Sequence, residues 1–147
     1  MINYWPLTQK KNHKLDGNNE LPFVLIAISC SESLLKTAWN LNNKLNINLK
    51  ESEILIQTKD NTSISFPVFC DNETSDTQYY SLISNKSSGI QLVKELPNID
   101  YILEISGGIK RLNLTALIKE LKLVSGINAA IEVNAEKIKR KNPFCPF

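Results

Sequence analysis

"PFVLIAIS", residues 22–29, is apolar at every position from Phe23 to Ile28, with branched side chains at Val24, Leu25, Ile26 and Ile28. A strand with one wet face alternates apolar and polar residues, whereas an unbroken apolar run needs cover on both faces. Six apolar residues are far too few to cross a bilayer. The run therefore predicts a strand covered on both faces. The period then changes at once. Ser29 and Glu32 have the spacing of a capping box, with Ser31 as a competing N-cap. Leu34, Ala38, Leu41 and Leu45 recur at helical spacing, flanked by Leu35 and Trp39, while Lys36, Asn40, Asn43 and Lys44 form a polar face. A core-facing helix over about 31–46 follows from this pattern.

Downstream, "EILIQ" (53–57), "SISFPVFC" (63–70) and "QYYSLIS" (78–84) read as three strands. Pro67 has no N–H, so the second is expected at a sheet edge or at a bulge. The acidic loop "DNETSD" joins the second and third into a hairpin, and "NKSSG" (85–89) is a further loop. "KELPNIDYILEISGG" (94–108) is a charged, proline-containing corner, then a strand, then a glycine pair. In that strand Tyr101, Leu103 and Ile105 share one face, and Ile102 and Glu104 share the other. A second helix starts at Asn113 as N-cap, runs through Leu114, Leu117, Ile118, Leu121 and Val124, and ends at Gly126 as the C′ residue. "INAAIEV" (127–133) is a last strand, with Ile127, Ala129, Ile131 and Val133 on one face. Upstream, "NHKLD" (12–16) reads as a short edge strand before the turn "DGNN".

The order of elements gives an α+β fold: one domain over 13–135, a mostly antiparallel sheet and two helices packed on one face. A ferredoxin-like or ACT-like split β-α-β arrangement fits that order. Residues 1–12 are an irregular N-terminal arm, and 136–147 are a basic and aromatic C-terminal tail.

Composition narrows the function classes. The 147 residues are 42% hydrophobic and 22% charged, enough for a core without disulfides or metals. A net charge of +2 does not by itself call for nucleic acid. Lysine supplies fifteen of the seventeen basic residues, and asparagine and isoleucine number seventeen each. These three residues share AT-rich codons, so the lysine excess argues for no partner. The first residues lack a long apolar run and a cleavage site, so no targeting segment or membrane contact is expected. Cys30, Cys70 and Cys145 are widely spaced and read as free thiols of a reducing cytosol, with Cys30 packed in the core.

The corner residues also carry a family resemblance. Val93, Lys94, Glu95, then Leu96-Pro97-Asn98, then Ile99-Asp100-Tyr101 resemble the motif of the IPExxxVDY proteins of Bacteroidota. Lys94 stands where that motif has proline, and Pro97 follows three residues later. "HKLD", "AWNLNNKLNINL", "YYSLISNKSSG" and the terminal Phe147 extend the likeness over most of the chain. The resemblance implies a lineage and a cytosolic setting, and no mechanism.

Several residue groups qualify as candidate sites. The motif residues Val93, Glu95, Ile99, Asp100 and Tyr101 read as structural: Asp100 suits the backbone of the corner, and Tyr101 opens the strand. Ser106, Gly107 and Gly108 form a candidate ligand turn, since backbone N–H groups between a strand and a helix can hold an anion. Lys10, Lys11 and Lys14 with Lys137, Lys139, Arg140 and Lys141 make a candidate basic patch beside Tyr4, Trp5, Phe144 and Phe147, a composition that suits RNA. "NPFCPF" reads as docking on the body or on a partner. His13 is the one histidine, and its distance in sequence from the cysteines argues against zinc. No catalytic residues, metal or cofactor are expected. The leading reading is a cytosolic, non-enzymatic binding or adaptor protein whose partner is another protein or a second copy. A metabolite-binding ACT-like domain and an RNA- or ribosome-associated factor are the alternatives.

Overall fold

The computed structural model describes residues 2–3, 22–57, 60–140 and 143–145. In chain order the elements are β1 (Ile2–Asn3), β2 (Phe23–Cys30), α1 (Leu34–Leu45), β3 (Lys50–Gln57), β4 (Ser63–Asp71), β5 (Tyr79–Ser84), β6 (Lys86–Ser87), β7 (Ile90–Gln91), β8 (Tyr101–Ser106), a 3-10 turn at Ile109–Arg111, α2 (Leu114–Lys122) and β9 (Ile127–Val133). Seven strands form one antiparallel sheet in the order β1-β3-β4-β5-β8-β2-β9. β6 and β7 form a separate small hairpin. Its turn residues Ser88 and Gly89 have φ 52° and 79°, the positive pair that a tight primed turn requires.

β2 lies between β8 and the edge strand β9, next to the end of the sheet, and Leu25 to Ile28 are buried. Its side chains divide between two cores. Ile26, Ile28 and Cys30 pack with Ala38 and Leu41 of α1 and with Leu121 of α2. Both helices therefore cover the same face. Leu25 points the other way and joins Ile54, Phe66, Ile83, Val93, Ile102, Ile138 and Phe144. Among the described residues no helix lies on that second face; the 92–99 corner and the C-terminal tail cover it. Among the described residues no helix is long and apolar enough to cross a membrane.

Several boundaries differ from the sequence expectation. The N-cap of α1 is Ser33, whose side chain accepts the Lys36 N–H at 3.1 Å. Ser29 stays in the β2 ladder, and Ser31 instead gives its hydroxyl and N–H to the Gly126 carbonyl. α2 begins at the predicted cap, Asn113, but ends at Lys122, so Gly126 lies in the turn to β9 rather than at C′. Leu35 and Trp39 are exposed at 67% and 58%, outside the buried face of α1.

β4 is an interior strand, neither edge nor bulged. β3 pairs with it from Ser63 to Cys70, and β5 pairs with it only from Val68 onward, so Pro67 stands just past the end of the β5 ladder. β9 carries a bulge where Ser29 pairs with Ala129 and Cys30 with Ile127. The extra residue resets the alternation. Ile127 and Ala130 are buried against the helices, and Ile131 is 55% exposed instead of sharing their face. Ile2–Asn3, expected irregular, pairs with Ile56 and Gln57 at the sheet edge. The rest of the N-terminal arm and the predicted 12–16 strand lie outside the described residues.

Candidate functional site

The 93–101 corner is organised by a residue that the sequence reading left in a loop. Asn85 is fully buried. Its amide donates to the carbonyls of Leu96 (2.9 Å) and Ile99 (3.0 Å), and its side-chain oxygen accepts the Val93 N–H (2.9 Å). Its backbone N–H donates to Asp100 and its carbonyl accepts from Leu92. One asparagine thus satisfies groups all around the corner, which a buried loop otherwise leaves without partners.

The motif residues then tie this corner to the end of β2. Asp100 Oδ2 accepts the Cys30 N–H at 2.8 Å, and the Asp100 N–H donates to the Ile28 carbonyl. Tyr101 donates its hydroxyl to the Glu32 carbonyl at 2.7 Å, and burial raises its pKa above the ordinary tyrosine value. Val93 is buried and Ile99 packs against the same core, whereas Glu95 is exposed. Four of the five residues thus hold the bend. Glu95 is set apart at the surface.

The glycine turn is also committed to the protein. Gly107 donates its N–H to the Pro22 carbonyl at 3.1 Å. It has φ 78°, and a Cβ there would lie 2.1 Å from the Thr77 carbonyl oxygen. Gly108 gives its carbonyl to the Gln78 amide. Ser106 is buried at 1%. The 3-10 turn separates all three residues from the N-terminus of α2, whose cap is filled by the Asn113 side chain.

A buried polar row lies beneath the tail. Cys70, Ser81, Glu104 and Leu25 are successive cross-strand partners on β4, β5, β8 and β2. Glu104 is 1% exposed. Its carboxylate accepts the backbone N–H groups of Phe144 and of Cys145, the latter at 2.9 Å. Burial pushes its pKa up to about 7, with both N–H groups and Arg140 pulling in the other direction. Arg140, assigned from sequence to a solvent-facing patch, is half-buried. Its guanidinium stacks 4.0 Å from the Phe144 ring and donates to the Pro143 carbonyl. Lys137 and Lys139 are exposed, and Lys10, Lys11, Lys14 and Lys141 lie outside the described residues.

On the same face, beside the corner, a cleft of about 930 Å³ opens between the β3–β4 hairpin and the β6–β7 hairpin. Ile56, Ile64, Phe66, Ile90 and Leu92 give it apolar walls, and Asp60, Lys94 and Glu95 stand among its lining groups. Here Glu95 has a place that the corner did not give it. Among the described residues no three His, Cys, Asp or Glu side chains are grouped to hold a metal ion.

Two of these residues were missed by sequence reading. Glu104 had a signal: it is a lone carboxylate within "YILEIS", and charges in apolar strands are rarely buried unless paired or hydrogen-bonded. Asn85 had none, because asparagine is ordinary in loops. No family model matches the chain, and no curated protein matches it.

Proposed function

We propose that this protein is a non-enzymatic binding module, and that its cleft takes an apolar segment of a partner protein with basic residues beside it. The cleft carries this reading. Its volume is at the upper end of the range for ligand sites, and its walls are mostly apolar with a few polar groups at hand. Two carboxylates, Asp60 and Glu95, face one lysine there, so a basic flank on the occupant is complementary. Glu95 is then the motif residue that meets the partner, while Val93, Ile99, Asp100 and Tyr101 hold the wall it stands on. We place the protein in a reducing cytosol, a reading supported by its three free cysteines. Membership of the IPExxxVDY family belongs to the same proposal. So does a ferredoxin-like or ACT-like kinship, in which β8, α2 and β9 enclose β2 as a split β-α-β unit and the β3–β4–β5 meander extends the sheet.

The test is a photo-crosslinking residue placed at the exposed Lys94 in the full chain, in native extract. The expected product is a protein crosslinked through an apolar segment flanked by Lys or Arg, lost in Ile90→Glu and kept in Leu123→Glu, which lies at the end of α2. Equal capture by both variants, or a crosslinked segment without that chemistry, refutes the reading.

A further inference from the structure

The row and the tail above it carry two of the three cysteines. Cys70 pairs with Ser81 on the neighbouring strand, and Ser81 pairs with Glu104. The tail lays Cys145 over this row, with its N–H donating to Glu104 and its side chain in the buried cluster that Cys70 packs against. Ser81 donates its hydroxyl to Cys70 Sγ at 3.7 Å. The two sulfurs differ in access. Cys145 is buried at 4%. Cys70 is half-buried and lines a surface hollow of about 250 Å³ with Lys50 and the acidic residues Glu51, Asp71 and Glu73. Cys70 is therefore the more accessible of the two, and Cys145 the more enclosed. This is the placement of a reactive cysteine and its resolving partner.

We propose that Cys70 and Cys145 are a peroxide-reactive pair, in which a hydroperoxide oxidises Cys70 and Cys145 resolves the product to a disulfide. The Cys70 thiolate attacks one peroxide oxygen and the O–O bond breaks. The sulfur keeps that oxygen as a sulfenic acid, and the departing hydroxide takes up the proton that the thiol released, forming water. The Cys145 sulfur then attacks the sulfenic sulfur. An S–S bond forms, the S–O bond breaks, and the hydroxide leaves with the Cys145 proton as a second water. Each sulfur gives up one electron overall, and the two peroxide oxygens accept the pair. The hydrogen bonds from Cys145 and Ser81 hold the Cys70 thiol below its usual pKa against the effect of burial, while Cys145 is held well above its own. Cys30 is a built-in control: it is buried in the helix-side core, against the Thr37 hydroxyl. The disulfide would fasten the tail to β4.

The full-length reduced protein, exposed to hydrogen peroxide, is read by free-thiol count, intact mass and peptide mapping. The expected result is loss of two of the three thiols, a mass lower by two hydrogens, a linked Cys70–Cys145 peptide and intact Cys30, all reversed by dithiothreitol. In Cys145→Ser, Cys70 is expected to accumulate as a sulfenic acid trapped by dimedone. A wild-type protein that keeps all three thiols at peroxide levels that oxidise free glutathione overturns the proposal. So does a linked peptide between two copies only, or oxidation of Cys30 ahead of Cys70. The wild-type map needs no substitution, so a poorly folding variant does not blunt the test.

Discussion

Glu104→Gln is predicted to abolish most of the pH dependence of stability between about 4.5 and 7. The native carboxyl is 1% exposed, and burial raises its pKa to about 7 from the ordinary value of 4.5. Between these two values the native state keeps a proton that the unfolded chain has released. The unfolded state binds fewer protons there, so unfolding free energy falls as pH rises. The stability from this residue is whole below about 4.5 and is lost by the time pH has passed about 7. At about 1.4 kcal/mol per unit, the gap from 4.5 to about 7 amounts to roughly 3 kcal/mol. Glutamine matches the neutral acid in shape and does not titrate; its one amide oxygen can accept only one of the Phe144 and Cys145 N–H groups, a cost that does not vary with pH. Urea denaturation of both proteins, followed by circular dichroism at intervals from pH 5 to 8, measures the difference. The variant should gain on the wild type by about 2 to 3 kcal/mol across that range. Taking the difference cancels every other titrating group that the two proteins share. Asp71 does not intrude, because its carboxylate accepts N–H groups from Asn48, Glu73 and Thr74 and titrates below the usual value. Parallel curves for the two proteins would refute the burial of a titrating Glu104.

Other perturbations follow from the same geometry. Asn85→Ala leaves the Val93 N–H and the Leu96 and Ile99 carbonyls without their partner, and should cost about 3 kcal/mol in a denaturant titration. Gly107→Ala meets the Thr77 carbonyl and should cost about 2 kcal/mol or more, whereas Gly89→Ala, with similar φ and open space around its Cβ, should cost about 1 kcal/mol. Equal costs would show that the Thr77 approach does not matter. Ser33→Ala should lower stability by about 1 kcal/mol through loss of the α1 cap. Ser29→Ala serves as the comparison that locates the cap: if it costs as much, the assignment to Ser33 is wrong.

Much of the fold was legible because local rules and tertiary needs agreed. An apolar run with no polar member had to be covered twice, and β2 is covered by helices on one face and by loop and tail on the other. Asn113 was readable as a cap because its oxygen meets an N–H three residues away, the Ala116 N–H. The misread positions were decided by partners far away in sequence. Ser29 and Ser31 have cap chemistry, but β9 and the Gly126 carbonyl claim them first. Ile131 lost its expected face to a bulge fixed by pairing with β2, which alternation within β9 alone does not reveal.

The candidate sites divide in the same way. Sequence alone determined the six long strands, the two helices and the charged corner, since each rests on residues within a few positions of one another, whereas the short strands β1, β6 and β7 were not read from it. Only the tertiary structure decided that Asn85 holds the corner, that Glu104 holds the tail, and that the tail brings Cys145 to the core face that Cys70 packs against. Contacts between residues so far apart in the chain leave no periodicity to read. They arise when strands from distant segments align in register, and when a tail buries its aromatic residue by crossing a carboxylate that needs its N–H groups.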